Sequence, residues 1–427
     1  MTSSPIRIAL LGFGTVCMGA YRMLADNREA ISTKIGRDIE IVRIGIRDPA
    51  KDRTAPPDLF TADLESVVVD PSVHVILELM GGIDPAVSLI ERALRSGKHV
   101  VTANKELMAK QGARLVGLAS SLGLDLHFEA AVGGGIPLIQ PMKHQLAGND
   151  VLKLMGILNG TTNYILTRMS EDGSDLKTAL AEAQEKGYAE ADPTADVDAF
   201  DPQYKLAILA SVAFHGEVAP EGVHREGIRG ISARDIELAH LMGYRIKLLG
   251  IVEPAGSGRV LARVHPTFLP KGHPLAGVND VYNAVWIRGD FVGDVMFSGK
   301  GAGGDPTASA VIGDLIDVGR TLVAGGSGSA IPVVGRIEMA PIEELRTAYY
   351  VRLIVEDRPK VLGEIAMAFG EHEVGLAAME MRTLDVERGE IAFLTHVCVE
   401  KGFKAALGLI EGLSVVRSIE SWIRVES

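Results

Sequence analysis

Two cysteines, Cys17 and Cys398, are all that 427 residues contain, so no disulfide framework holds this chain and no Cys/His cluster has metal-ligand spacing. Apolar runs approaching the ~20 residues that span a bilayer are missing. The opening Met-Thr-Ser-Ser-Pro leads straight into a strand, without the basic stretch and apolar core of a secretory leader. Positive charge is in deficit: 43 Lys and Arg against 55 Asp and Glu give a net charge of −12. Nucleic acid and anionic membranes are therefore poor partners. What remains, 47 % hydrophobic and 23 % charged residues, describes a soluble globular protein, expected in the cytoplasm. The length exceeds one ordinary core and calls for two or three domains.

The first hundred residues alternate apolar strands with amphipathic helices. Ile6–Leu11, Ile39–Ile46, Val73–Met80 and Val100–Thr102 read as strands. After Gly82 a helix is well marked: Asp84 can cap it, Pro85 takes its first position, Val87, Leu89, Ile90 and Leu94 form one face, and Gly97 ends it. This alternation predicts a Rossmann-type, doubly wound parallel sheet. From Val151 the pattern changes to a second α/β domain with a mixed sheet. Its expected strands are Val151–Leu158, Arg245–Val252, Val260–Phe268 and Asp290–Phe297. Helices are expected near Thr162–Met169, Ser174–Lys186, Pro202–Phe214 and Asp305–Val323. Ala324–Ser329 reads as a flexible break. From Tyr349 a compact βαββαβ order follows, the ferredoxin-like arrangement of small regulatory domains.

Gly12-Phe-Gly-Thr-Val-Cys-Met-Gly follows a strand and opens a helix. Gly12 permits the tight turn, and Gly14 lets backbone N–H groups approach a pyrophosphate at the helix N-terminus. Phe13, Thr15 and Val16 share that turn. Cys17 occupies the third glycine position, where a small residue serves helix–strand packing. Arg47 and Asp48 end the second strand, with Lys51 and Arg53 close behind. An acid there would bind the ribose 2′-hydroxyl of NAD, and an arginine the 2′-phosphate of NADP. Arg47 and its neighbouring cations tip the reading to NADP, against a loop of mixed, solvated charges. Thr102, Asn104 and Lys105 fall at the C-terminal end of a strand, the edge where open α/β sheets bind ligands. Lys105 is then either a surface lysine at a helix start or a charge beside the nicotinamide, and its position favours the second. Glu129-Ala-Ala-Val-Gly-Gly-Gly-Ile-Pro can bare several carbonyls to a hard monovalent cation, or simply turn the chain.

The most informative stretch is Tyr188–Lys205. Acidic residues crowd a loop that ends at Asp201. Pro202 then suits a first helical position, and Lys205 follows one turn after Asp201. If Asp201 caps this helix, a carboxylate and a lysine share the face of its first turn, where a proton can be given or taken from a fixed position. Taken alone, the spacing better describes a capped helix with a surface lysine.

Six segments occur in order: Gly-Phe-Gly-Thr-Val, Thr102-Ala-Asn-Lys, Glu129 to Pro137, Ile157-Leu-Asn-Gly-Thr-Thr-Asn-Tyr-Ile, Gly187-Tyr-Ala-Glu-Ala-Asp-Pro-Thr-Ala-Asp196 and Gly301-Ala-Gly-Gly-Asp-Pro-Thr. Together they resemble the homoserine dehydrogenases, in the single-function form with a C-terminal ACT domain, over essentially the whole chain. The resemblance implies reversible nicotinamide-dependent reduction of L-aspartate 4-semialdehyde to L-homoserine, on the route to threonine and methionine. It implies Lys205 as proton donor and acceptor, and Lys105 between cofactor and substrate. Glu190 and Asp201 become the carboxylates that hold the substrate, and Gly187 and Gly303 backbone that touches the cofactor. Glu129, Val132, Gly134 and Ile136 would form a sodium site built largely of main-chain oxygens. Domains at 1–145 (with 305–340 returning), 146–304 and 348–427 follow, the second also pairing copies into a homodimer or homotetramer. One departure is marked. Asp357-Arg-Pro-Lys-Val-Leu has Lys360 where the ACT pattern has glycine, beside the usual groove for an amino-acid effector. Weak or absent inhibition by threonine is expected from it. A related amino-acid dehydrogenase would need another motif in place of Gly187–Asp196, and a sensor that lost catalysis would lack the lysines present at 105 and 205.

Overall fold

The computed structural model describes residues 4–48, 54–326 and 335–426. The chain divides into two compact units. The first comprises residues 1–152, 204–222 and 283–337, the second residues 153–203, 223–282 and 338–427.

The first unit is built on six parallel strands: β1 (Ile6–Leu11), β2 (Ile39–Gly45), β3 (Phe60–Thr61), β4 (Val75–Glu78), β5 (His99–Thr102) and β6 (Leu126–His127), in the order β3-β2-β1-β4-β5-β6. The order reverses between β1 and β4, the switch point at which such sheets bind ligands beyond the strand ends. The strands read as apolar runs because both faces are covered; β4 and β5 are buried throughout. The helix Gly304–Ala324 belongs to this core. Its Ala308, Val311, Ile312, Leu315 and Val318 pack with Ile8, Leu10, Cys17, Ala20 and Ile35.

Three local expectations are corrected here. The first helix, expected from Ala20 after a glycine-rich turn over Gly12–Gly19, opens at Thr15. The helix after Gly82 runs over Ala86–Arg95 with Pro85 itself at the cap, so Asp84 does not cap it. Asp290–Phe297 is not one strand: Tyr282–Gly289 and Gly293–Lys300 form a hairpin turning over Asp290–Val292, with Gly293 at φ +72°. The long helix runs through Ala324, and Gly325 terminates it in the left-handed region. The expected break beyond Gly326 lies outside the described residues, as do Lys51 and Arg53.

In the second unit seven strands share a sheet: β7 (Val151–Ile157), β8 (Tyr244–Pro254), β9 (Val260–Pro270), β10 (Arg346–Glu356), β11 (Leu376–Thr383), β12 (Arg388–Thr395) and β13 (Val416–Val425), in the order β7-β8-β9-β13-β10-β12-β11. With the helices Val361–Glu371 and Glu400–Glu411, the last four make the βαββαβ module. Its core stacks Tyr349 on Phe403, ring centroids 3.7 Å apart, around Ile365, Phe369 and Phe393. This segment, expected as a domain of its own at 348–427, continues the second unit's sheet. β13 pairs in parallel with β9, Thr267 opposite Arg424 and Phe268 opposite Val425. Buried charges fix the seam. Arg424 donates to Glu400 and Glu226, Arg263 to Glu426 and Glu253, and Arg352 to Asp235. Leaving one such partner unpaired costs roughly 3–5 kcal/mol.

Candidate active-site residues

Gly12 sits at φ +95°, and a Cβ there would meet the Leu79 carbonyl oxygen at 2.8 Å. Glycine is thus demanded twice, by the backbone angle and by the approach of the loop after β4. Gly14 precedes the helix Thr15–Asp26 in extended conformation with open space around it. Gly14 and Thr15 are exposed, Val16 half-buried. The unpaired N–H groups of the first helical turn are therefore available to an anion. Phe13 packs edge-on against Tyr21 and Phe60. Cys17 is fully buried, and burial pushes its thiol up to about 12, so it acts as a small core residue. The close helix approach falls to Gly19, where a Cβ would touch Ala308 Cβ and the Gly304 carbonyl at 3.0 Å. Arg47 lies exposed two residues beyond β2.

At the ends of β4 and β5, Thr102 and Asn104 are buried. Asn104 caps the helix Lys105–Ser121, its Oδ1 accepting from Leu107 N–H at 3.1 Å, so Lys105 is the first helical residue. Beneath them lies Glu78, a buried carboxylate that sequence reasoning missed. Its Oε2 accepts from the Thr102 hydroxyl at 2.6 Å and its Oε1 from Met80 N–H at 2.9 Å. Burial raises its pKa, against the lowering effect of these hydrogen bonds. The only sequence sign is an acid closing the apolar run Val75-Ile-Leu.

The Glu129 carboxylate accepts from Leu138, Ile139 and Gln140 N–H groups at 2.5, 2.8 and 2.7 Å. It anchors the helix Ile139–Lys143, while its main-chain oxygen accepts from Val132 N–H at 3.3 Å. Burial raises its pKa despite these bonds. Gly133 and Gly134 both have positive φ, Gly134 lies against the backbone of Gly301, and Val132 and Ile136 are buried. Asp314 accepts from Glu129 N–H at 2.9 Å and lies 3.5 Å from His127 Nδ1. Burial lowers the His127 pKa, but hydrogen bonds to Asp125 and Asp314 outweigh it and push the ring up to about 9. Asp314, 185 residues away in sequence, was also missed. Among the described residues no group of three His, Cys, Asp or Glu side chains is arranged to hold a metal.

Asp201 does not cap the helix that carries Lys205. The helix spans Phe200–Ala213 behind Ala199 at φ +64°, so Asp201 is its second residue and Pro202 its third, still where no N–H is needed. Asp201 and Lys205, one turn apart, are only 5 % and 8 % exposed. Asp201 Oδ2 accepts from Asn159 Nδ2 at 2.9 Å, and the same nitrogen donates to Asp196 at 2.6 Å. Asn159 Oδ1 in turn caps the helix Gly160–Asp172. Gly187, at φ +73°, and Glu190 are exposed, and the Glu190 carbonyl accepts from Gln184. Gly303, at φ +117°, opens the helix Gly304–Ala324.

Three family descriptions match the chain in succession: "Homoserine dehydrogenase, NAD binding domain" over residues 12–129, "Homoserine dehydrogenase" over 137–316 and "ACT domain" over 349–414. A homoserine dehydrogenase of Synechocystis is 44 % identical over 99 % of this chain and 100 % of its own length. The chain belongs to the homoserine dehydrogenase family. Among solved structures, a homoserine dehydrogenase from Thiobacillus denitrificans superimposes with a TM-score of 0.94, at 40 % identity, covering 99 % of both chains. A hyperthermophilic archaeal homoserine dehydrogenase mutant, solved in complex with NADPH, gives a TM-score of 0.64 at 28 % identity over 74 % of this chain and 98 % of its own. As in its homoserine dehydrogenase relatives, the activity is that of an oxidoreductase with an NAD-binding domain. It interconverts L-homoserine and L-aspartate 4-semialdehyde, with a C-terminal ACT module attached.

Proposed function

We propose that Lys205 gives and takes the proton on the substrate oxygen, while Glu190 and Asp201 hold the substrate ammonium and its surroundings. One observation carries this reading: a carboxylate and a lysine are kept buried one turn apart on a helix whose following residues, Leu206 to Ala210, are apolar core. Charged side chains held in place by hydrogen bonds, as Asn159 holds Asp201, are uncommon among apolar core residues and suit acid–base chemistry. Hydride transfer needs the aldehyde carbon oriented over the nicotinamide and a donor for the developing alkoxide. The cofactor supplies the hydride; the chain's residues supply orientation and one proton. Lys105 is assigned between cofactor and substrate, supported by its place at the first turn of a helix opening from a strand end.

The cofactor assignment rests on the open helix N-terminus at Gly12, Phe13, Gly14, Thr15 and Val16, with Thr102, Gly187 and Gly303 as further contacts. NADP is preferred over NAD in this reading, supported by exposed Arg47 and by the NADPH bound to the archaeal relative. Lys51 would add to Arg47 but lies outside the described residues. A sodium ion would be held by main-chain oxygens of Glu129, Val132, Gly134 and Ile136. The donor set is hard and oxygen-rich, and the buried Asn283 Oδ1, near Gly301, has no hydrogen-bond partner among the described residues. The segments 1–145 with 305–340, 146–304 and 348–427 take cofactor, substrate and regulatory roles, with an amino-acid effector at the ACT module and a homodimer or homotetramer as the assembly. A cytoplasmic location is part of this reading; no helix among the described residues is long and apolar enough to cross a membrane.

Steady-state oxidation of homoserine by Lys205→Ala tests the core of this reading. Turnover should fall at least ~100-fold, the lower range for general acid–base catalysis, with cofactor affinity little changed. Near wild-type turnover at every pH removes Lys205 from the mechanism.

A further inference from the structure

We propose that Glu78 is a positioning residue for Lys105, acting through Thr102 and Asn104; the inference rests on the assignment of Lys105 above. Glu78 closes β4 directly opposite Thr102, which closes β5. Both are fully buried. Among the described residues no cation pairs with Glu78, so its charge is not there to make a salt bridge. What it does have is acceptor capacity on both oxygens: Met80 N–H and the Thr102 hydroxyl donate to it, and Gly81 N–H and the Asn104 amide also favour its charge.

That second bond sets a direction. A threonine hydroxyl has one proton, and here it points at Glu78. The Thr102 oxygen is left as a pure acceptor, and Asn104 N–H donates to it at 3.1 Å. Asn104 is then fixed at three points. Its N–H is held by Thr102, its Oδ1 takes the Leu107 N–H, and its Nδ2 donates to the Gly82 carbonyl at 2.5 Å. Lys105 is the next residue, so its Cα inherits this placement. The same relay clamps the loop after β4 at both ends, through Met80 N–H and the Gly82 carbonyl. Gly81 and Gly82 in that loop both have positive φ and are exposed. A neutral side chain of equal shape breaks the polarity. A glutamine would turn its NH2 either toward Met80 N–H, facing donor with donor, or toward Thr102. The second choice makes the Thr102 oxygen accept from both the new amide and Asn104 N–H, and leaves its buried proton without an acceptor. A buried carboxylate with no cation is a costly way to tie two loops, and it is explained if the tie must hold a reacting group to a fraction of an ångström.

The test compares Glu78→Gln, Lys105→Ala, their double variant, and the pair Thr102→Val and Thr102→Ser, all in the full-length enzyme. For each, kcat, KM for homoserine, NADPH dissociation constant and melting temperature are measured. Glu78→Gln is expected to lower kcat about tenfold or more, as a misplacement of under an ångström does, with the NADPH dissociation constant changed less than about twofold. The double variant should lose no more than Lys105→Ala alone, because a residue acting through another adds nothing once that other is gone. Thr102→Val should reproduce the Glu78→Gln loss and Thr102→Ser recover it, which keeps the proposal testable if Glu78→Gln does not fold. Additive losses in the double variant, or unchanged turnover in Thr102→Val, overturn the proposal while leaving Lys105 in the mechanism. Undiminished turnover in Lys105→Ala overturns both.

Discussion

The seam between β9 and β13 makes a quantitative prediction through Glu426. This carboxylate, 5 % exposed, accepts from Arg263, itself 1 % exposed, at 2.6 Å, and also pairs with Lys153. Burial alone would raise its pKa, but the charges and hydrogen bonds of Arg263 and Lys153 outweigh that and lower it from 4.5 to about 2. At about 1.4 kcal/mol per pH unit, that displacement corresponds to about 3 kcal/mol of stability. The folded state holds the carboxylate ionised more strongly than the unfolded chain does. The contribution is therefore complete above pH 4.5 and lost as pH falls through about 2. Glu426→Gln, which keeps the shape and removes the charge, should cost about 3 kcal/mol at neutral pH, in line with the roughly 3–5 kcal/mol for breaking a buried pair. Urea unfolding of both proteins at a series of pH values reads the difference. The gap should hold steady down to pH 5 and shrink to less than about half by pH 3, from the linkage relation. A gap that does not change between pH 6 and pH 3 would refute the assignment. It would place the cost of the variant in packing, not in the ionised carboxylate.

Arg47→Ala should raise KM for NADPH far more than for NADH in initial-rate assays; equal effects would mean that the 2′-phosphate is read elsewhere. Threonine should inhibit the reductive reaction weakly or not at all, and Lys360→Gly should gain sensitivity. Strong inhibition of the unmodified enzyme at sub-millimolar threonine would sink that reading.

How much of this is legible in the sequence depends on the range of the interaction that fixes each residue. The Rossmann-type sheet can be read because both faces of its strands are covered, so Val75-Ile-Leu and Val100-Val are apolar at every position and need no partner to be recognised. Gly12 can be read because one of its two demands is local, a turn with positive φ. The role of the third glycine is harder. Cys17 stands at the expected place, yet the close approach is made by Gly19 against Gly304 and Ala308, which come nearly three hundred residues later. The boundary at Asp201 fails for a local reason: Ala199 adopts a left-handed conformation that no alanine advertises, and the helix starts one residue before the aspartate. Glu78 and Asp314 are barely legible, since their partners Thr102 and Glu129 lie 24 and 185 residues away and an acid interrupting an apolar run does not say what it holds.

Lys360 is the opposite case, a departure visible in sequence whose backbone consequence the structure supplies. It stands at φ +78°, exposed, at the N-cap of the helix Val361–Glu371. The turn has kept the left-handed geometry that suits glycine, although the side chain there is lysine. For a residue with a Cβ that geometry costs on the order of 1 kcal/mol. Replacing the lysine by glycine would therefore relieve the turn while removing the side chain. A gain of threonine sensitivity in Lys360→Gly can then be assigned to the side chain and not to a reshaped loop, because the backbone is already where glycine would leave it.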